Sequence, residues 1–338
     1  MKVVVTGGCG FIGSNFIRYF IKQHPYYKIL NVDKLTYAGN LENLKDFKKR
    51  KNYHFVKADI CNVPAMKKLF KKFKPDVVIN FAAETHVDRS ITAPSQFMKT
   101  NFLGVGVLLN LCLDFGIKRF LQVSTDEVYG SIEKGSFCEN SLLNPSSPYA
   151  ASKAGADGLV MAYQTTYKLP VLITRTTNNY GPYQFPEKLI PLVILNALNN
   201  KKIPVYGQGM NVRDWIYVED NCAAIDQVFH KGKIGEIYNI AGKREKTNIQ
   251  VIKTILRILN VDKSLITYVK DRPGHDQRYS LSISKIKKHL GWQPQVSFQA
   301  GIKKTIDWYQ NNKTWLENTQ TGAYRKFYKQ YYSKLGLK

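Results

Sequence analysis

The chain has 338 residues, with 50 Lys and Arg against 25 Asp and Glu, a formal net charge of +25. Its 44% hydrophobic and 22% charged residues are ordinary for a globular protein, and the length allows one large domain or two closely joined ones. No apolar stretch is long enough to span a bilayer, and Val3-Val4-Val5 stops at Thr6-Gly7-Gly8, so neither a membrane span nor a signal peptide is expected and the reading is cytoplasmic.

The first half alternates strand and helix signals. Lys2–Thr6 is a short β-branched run, followed by a glycine cluster and an amphipathic stretch from Phe11 to Lys22. Ile29–Val32, Tyr53–Lys57, Asp76–Asn80 and Arg119–Ser124 read as further strands, with helical patterns at Val63–Phe73 and about Ser95–Phe115. A helix is predicted from Pro148 to Tyr167 and a sixth strand at Val171–Thr174. Such alternation predicts an α/β fold with a doubly wound, Rossmann-type parallel sheet covered on both faces. After Tyr180 the pattern loosens. Gly, Pro and aromatic residues cluster at Gly181–Pro186 and Pro204–Gly209, and helical patterns recur near Leu189–Asn199, Val218–His230, Asn248–Leu259 and Ala300–Tyr309. The expected division is a cofactor-binding domain over 1–180, a smaller C-terminal substrate lobe over 181–320 and a basic tail over 321–338. The boundary is soft, because such lobes exchange segments with the sheet.

Gly7-Gly8-Cys9-Gly10-Phe11-Ile12-Gly13 lies between the first strand and the first helix. Glycines there allow a tight turn and close backbone approach, so a pyrophosphate can rest on the helix N-terminus. Alone the motif is weak, but this is the context it requires. Asp33 ends the second strand, where a carboxylate accepts from the adenosine ribose hydroxyls and repels a 2′-phosphate, favouring NAD over NADP. A turn aspartate or helix cap is the blander alternative. Asp59 and Ile60, just past the third strand, are placed to border the adenine, with a turn role for Asp59 nearly as good a reading.

Tyr149 and Lys153 stand four apart, hence on one helical face. A free tyrosine has a pKa near ~10, too high for a base at neutral pH. A lysine charge and a cationic nicotinamide nearby lower it. Ser124-Thr125-Asp126-Glu127 falls at the carboxyl end of the fifth strand, the edge where such sheets bind ligands. Two adjacent carboxylates there can serve as acid and base if their surroundings separate their pKa values. The five cysteines are scattered with no C-x-x-C, and the six histidines form no H-x-x-x-H or H-E-x-x-H, so free thiols and no metal site are expected. The lysine excess is spread along the chain. It reads first as solvated surface, second as attraction for a diphosphate, and only last as nucleic-acid binding.

Taken together, Gly7–Ser14, Asp33–Leu41, Asn80–Ile91, Val123–Gly130, Ser147–Ala154, Asn178–Pro191 and Arg213–Asp220 resemble the dTDP-glucose 4,6-dehydratase family of the extended short-chain dehydrogenase/reductases. The resemblance runs from residue 1 to about residue 310. Epimerases and decarboxylases of that wider family share the glycine motif and the Tyr/Lys pair, so Asp126-Glu127 is the discriminating feature. The resemblance implies NAD as cofactor, held by Gly7, Gly10, Phe11, Ile12, Gly13, Asp33, Lys34, Thr36, Asp59, Ile60, Ala82, Ala83, Thr100, Ser124, Tyr149, Lys153 and Asn178. It implies Tyr149 as base towards the sugar's 4-hydroxyl and Lys153 as its partner. Asp126 would be the acid for the departing 6-hydroxyl, and Glu127 the base at carbon 5, with Thr125 on the reacting sugar oxygen. Contacts to a nucleoside-diphosphate sugar fall to Glu84, Thr85, Thr125, Asn179, Lys188, Leu189, Pro204, Tyr206, Arg213, Asn248, Arg272, His275 and Tyr279. Thr85 replaces the family's usual serine and keeps the hydroxyl. His86, Asp88 and Arg89 are family-like and read as structural. A homodimer built on helices near Ser95–Phe115 and Pro148–Tyr167 is also implied. UDP-glucose as substrate, an epimerase or decarboxylase, and a non-catalytic NAD-binding regulator are the alternatives.

Overall fold

The computed structural model describes residues 1–319. Six strands of the first half are β1 (Lys2–Thr6), β2 (Lys28–Asp33), β3 (Tyr53–Lys57), β4 (Val77–Asn80), β5 (Arg119–Thr125) and β6 (Val171–Thr176). They are followed by β7 (Asn178–Tyr180), β8 (Ile203–Tyr206), β9 (Val212–Tyr217), β10 (Ile237–Ile240), β11 (Glu245–Thr247) and β12 (Ile266–Val269). The main sheet runs β10-β6-β5-β4-β1-β2-β3. Every pair in it is parallel, with Val3 opposite Ile29 on one side and Val77 on the other. Val3, Val4 and Val5 have no exposed surface. A strand covered on both faces reads as a continuous apolar run, which is why this triplet does not alternate.

Helices α1 (Phe11–Gln23), α2 (Val63–Phe73), α3 (Val87–Thr92), α4 (Pro94–Phe97), α5 (Gly104–Asp114), α6 (Pro148–Tyr167), α7 (Leu189–Leu198) and α8 (Val218–Lys231) follow in order. After them come α9 (Asn248–Leu259), α10 (Ser284–Leu290), α11 (Phe298–Asn311) and α12 (Lys313–Thr319). Phe16 and Phe20 of α1 pack with Ile225 and Phe229 of α8 on one face of the sheet. Phe70 of α2, Leu108 and Cys112 of α5 and Val160 of α6 cover the other. This is the Rossmann-type architecture expected.

The stretch expected as one helix near Ser95–Phe115 is broken into α4, a π-helical segment Met98–Leu103 and α5. The wider turn sets Asn101 in the protein interior, where its amide nitrogen donates to the Glu84 carbonyl and to Ser152 Oγ. Such π segments mark functional sites, and hydrophobic periodicity does not reveal them. The short strands β7 to β12 also escaped periodicity. β7, β9 and β11 form a small mixed sheet, and β8 pairs with β12. With α7, α9, α11 and α12 they enclose a second core around Val193, Trp215, Ile255 and Ile302.

This lobe interleaves with the sheet. The chain returns to it through α8 and β10, and Ile286 of α10 and Trp292 join the core on that face. The basic tail read over 321–338 lies outside the described residues. Among the described residues no helix is long and apolar enough to cross a membrane. All five cysteines are free thiols; Cys138 is exposed, while Cys9, Cys112 and Cys222 are buried.

One buried ion pair ties α6 to the sheet. Arg175 Nε donates to Asp157 Oδ2 at 2.9 Å, and both side chains are almost fully enclosed. Arg175 Nη1 donates to the Tyr129 hydroxyl, which donates to Asn239 of β10. Removing one partner strands a buried charge. Arg175→Met is therefore expected to destabilise the fold by about 3–5 kcal/mol, read as a lowered midpoint in urea denaturation.

Candidate active site

A single cleft crosses the carboxyl edge of the sheet, from the loop after β2 to the start of the second lobe. β1 delivers the glycine loop to it. Gly7 adopts φ +70°, and a Cβ there would sit 2.5 Å from the Ala82 amide nitrogen. A Cβ on Gly13 would stand 2.4 Å from the Gly7 carbonyl oxygen. Gly10 caps α1 without any side-chain hydrogen bond, so the first amides of the helix are open to an anion. This cradle fits a pyrophosphate. Gly13→Ala forces backbone apart inside it and is expected to weaken NAD binding at least tenfold in a cofactor titration.

Asp33 closes β2 at the same edge. Its Oδ2 accepts from the Cys9 amide at 2.9 Å and its Oδ1 from the Leu35 amide at 2.8 Å. It is thus a turn aspartate and a cleft residue at once, with lone pairs left for ribose hydroxyls. Burial raises its pKa, and the two amides pull it down. Asp59 likewise turns the chain by accepting from the Cys61 amide, pairs with Lys34 at 2.8 Å, and lines the cleft beside Ile60. Thr36, Ala82, Ala83, Thr100 and Asn178 line it too.

At the other end stand Ser124, Thr125, Asp126, Glu127, Tyr149 and Lys153. Ser147 caps α6 by accepting from the Ala150 amide, and Pro148 opens the helix, which fixes where Tyr149 points. Lys153 Nζ donates to the Val123 carbonyl at 2.7 Å. Burial lowers its pKa to about 8, against the pull of Asp157 one turn on. Burial raises the Tyr149 phenol well above its ordinary range, Glu127 raises it further, and a hydrogen bond with Thr125 opposes both. The lysine is therefore anchored on the strand behind the tyrosine rather than pressed against the phenol oxygen.

The two carboxylates differ. Asp126 is buried; enclosure, then Glu127, push its pKa well above the carboxylate range, and its Oδ2 has no hydrogen-bond partner. Glu127 opens onto the cleft. Burial raises it too, but Arg272, Lys188 and Arg213 pull it down. The arrangement suits a neutral acid at Asp126 and an anionic base at Glu127.

Glu84, Thr85, Asn179 and Lys188 also line the cleft, and Lys188 Nζ donates to the Thr85 carbonyl. The other sugar-side candidates are not among the side chains that line it. Asp88 accepts from Tyr206 and Arg272, each at 3.0 Å. Arg213 lies over the Tyr279 ring, and His275 pairs with Asp271 at 2.6 Å. Leu189 begins α7, Pro204 pairs within β8, and Asn248 begins α9 with its amide on the Asn211 carbonyl. None of these three borders the cleft. Residues the sequence reading missed include Gln184, Phe185 and Glu187, all cleft-lining and all inside the stretch Asn178–Pro191 that carried the resemblance. Burial raises the Glu187 pKa to about 7.

Remote from the cleft, His24, Asp226 and His230 converge. His230 Nδ1 faces both the Asp226 carboxylate and the Asp226 backbone carbonyl, which needs a proton on that nitrogen. The cluster therefore reads as a carboxylate accepting from two imidazoles.

Comparison with known proteins extends these observations. The family model for GDP-mannose 4,6 dehydratase matches residues 4–305. The dTDP-glucose 4,6-dehydratase 1 of Escherichia coli is 49% identical over 98% of this chain and 99% of its own length. The dTDP-glucose 4,6-dehydratase of Bacillus anthracis, solved in complex with NAD, superposes with a TM-score of 0.89 at 48% identity, covering 94% of this chain and 99% of that one. UDP-glucose 4-epimerase from Thermotoga maritima is similar in fold, with a TM-score of 0.86 at 30% identity over 93% of this chain and all of that one. The fold is thus common to epimerases and dehydratases, whereas near-half identity over almost the whole length points one way: the chain belongs to the GDP-mannose 4,6 dehydratase family, and within it to the dTDP-glucose 4,6-dehydratases.

Proposed function

We propose that this protein converts dTDP-glucose to the 4-keto-6-deoxy sugar in an NAD-dependent dehydration. The observation that carries the reading is the adjacent carboxylate pair at the end of β5, where burial and Glu127 push Asp126 towards its neutral form while Arg272, Lys188 and Arg213 pull against the burial of Glu127. NAD held between Asp33 and Lys153 supplies a hydride acceptor that later returns the hydride, so no net oxidant is needed.

Tyr149 takes the proton of the 4-hydroxyl as the hydride leaves carbon 4. The resulting 4-ketone makes the proton on carbon 5 acidic, because its removal yields an enolate. Glu127 removes that proton. Asp126 gives its proton to the departing 6-hydroxyl, and water leaves. The hydride returns at carbon 6, Glu127 returns its proton to carbon 5, and the proton that Tyr149 took up balances, through solvent, the one that Asp126 gave. Thr125 accepts or donates at the sugar oxygen beside Tyr149. Lys188 in the cleft and Arg213 and Arg272 near it supply positive charge for the diphosphate, and charge shielded from water counts for more than in water.

A cytoplasmic setting fits an enzyme of activated sugars. A homodimer through α5 and α6 fits the exposed apolar side chains Met98, Leu103 and Tyr167 on and beside those helices; light scattering on the purified protein tests it.

The deciding experiment is mass spectrometry of product after incubation with dTDP-glucose and, separately, UDP-glucose. Loss of one water from dTDP-glucose, at the higher kcat/KM of the two, is the expected result. Unchanged mass with NAD-loaded protein would overturn the reading, and conversion of UDP-glucose alone would reassign the nucleotide. One methyl group separates the two bases, so modest discrimination is expected.

A further inference from the structure

The mechanism above leaves a buried acid on the second-lobe side of the cleft unused. Glu187 lies on the segment between β7 and α7, its side chain only 3% exposed. Its partners come from elsewhere in the chain. The Tyr37 hydroxyl hydrogen-bonds it from the loop after β2, which also carries the cleft-lining Thr36. Arg89 Nη2 approaches Glu187 Oε2 at 3.7 Å, and His86 Nε2 approaches it at 3.6 Å. The same arginine lies over the Tyr37 ring at 3.8 Å, and that ring meets Phe185 edge-on at 5.8 Å.

Tyr37 and Glu187 therefore join two segments, distant in the chain, that line one cleft. Thr36, Ala38 and Gly39 of the loop after β2 and Asn178, Asn179 and Glu187 of the other segment line that cleft, where NAD would bind. A buried hydrogen bond to an ionised carboxylate is stronger than a neutral one, and losing it leaves a buried polar atom short of a partner.

We infer that Glu187 is a positioning residue: with Tyr37 and Arg89 it clasps the cofactor loop to the substrate lobe and keeps NAD from exchanging between turnovers. The inference rests on the NAD-dependent reading proposed above. It adds a contact that touches no reacting atom, and its consequence lies in cofactor release rather than in the chemical steps.

The test uses the full chain purified with NAD, and the variants Glu187→Gln and Tyr37→Phe, singly and together. Release of NAD is followed by trapping the freed cofactor with a second NAD-dependent dehydrogenase and its substrate. Each single change is expected to speed release about tenfold or more. The double variant should release little faster than either single one, because both remove the same contact. Turnover of the variants should rise with NAD added to the assay, where that of the parent does not. Tyr37→Phe keeps the ring against Phe185 and Arg89, so it tests the contact even if Glu187→Gln disturbs folding. Release within twofold of the parent in the folded variants, or turnover indifferent to added NAD, would overturn the clasp. A parent that takes up no NAD would overturn the functional reading itself, and the clasp with it.

Discussion

Tyr149→Phe is expected to lower turnover of dTDP-glucose by ~100- to 10,000-fold and to leave the cofactor oxidised, with no reduced-nicotinamide absorbance in a single-turnover mixing experiment. The substitution removes one oxygen and keeps the ring, which meets Phe97 edge-on at 6.4 Å, so folding should survive. What is lost is the acceptor for the 4-hydroxyl proton. Without it, hydride departure from carbon 4 would build a protonated ketone in a buried site, and that costs far more than a ketone. The surroundings explain why the tyrosine needs help. Burial and Glu127 both hold its proton on, and the hydrogen bond with Thr125 pulls the other way. Lys153 sits one turn along α6 and spends a donor on the Val123 carbonyl. A cationic nicotinamide beside the phenol would supply the missing positive charge. Turnover within tenfold of the parent enzyme would remove Tyr149 from the base's role.

Much of this site was legible in the sequence for definite physical reasons. A parallel strand buried on both faces is apolar throughout, so Val3-Val4-Val5 and Leu172-Ile173 announce themselves. The glycine loop is legible because Gly7 and Gly13 have no room for a Cβ. Long capped helices are legible as well: Val63–Phe73, Pro148–Tyr167 and Asn248–Leu259 begin and end where periodicity puts them. The π segment at Met98–Leu103 left no signal, since its purpose is to set Asn101 against Glu84 and Ser152, which are distant in sequence. The return of β10 beside β6 was equally silent, because pairing partners are a tertiary choice. At the site, sequence identified the carboxylate pair but not what makes it unequal. Arg213, Arg272 and Lys188 come from three segments of the second half, and only the fold brings their charge onto Glu127. The role of Glu187 was hidden in the same way: it sits in a recognised stretch, yet its partner Tyr37 lies far away in the chain.

Glu127→Gln should part the two halves of the reaction. Oxidation at carbon 4 asks nothing of Glu127, so the variant is expected to show a stoichiometric burst of reduced-nicotinamide absorbance on mixing with dTDP-glucose. Elimination then lacks its base, the absorbance persists, and steady turnover falls by ~100- to 10,000-fold. Glutamine has nearly the same shape, so the cleft keeps its form. The neighbouring carboxyl is a poor substitute, because burial, the larger influence on Asp126, still favours its neutral form once the Glu127 charge is gone, and a proton acceptor must be ionised. Loss of the Glu127 charge also lightens one of the influences that raise Tyr149, so the oxidative half should not be slowed on electrostatic grounds. The contrast with Tyr149→Phe is what gives the pair its force: one variant never reduces the cofactor, the other reduces it and stops. Full turnover in Glu127→Gln would assign the carbon-5 base elsewhere. A variant that bound substrate but gave no burst would show that Glu127 acts before elimination, and the division of labour between the two carboxylates would have to be redrawn.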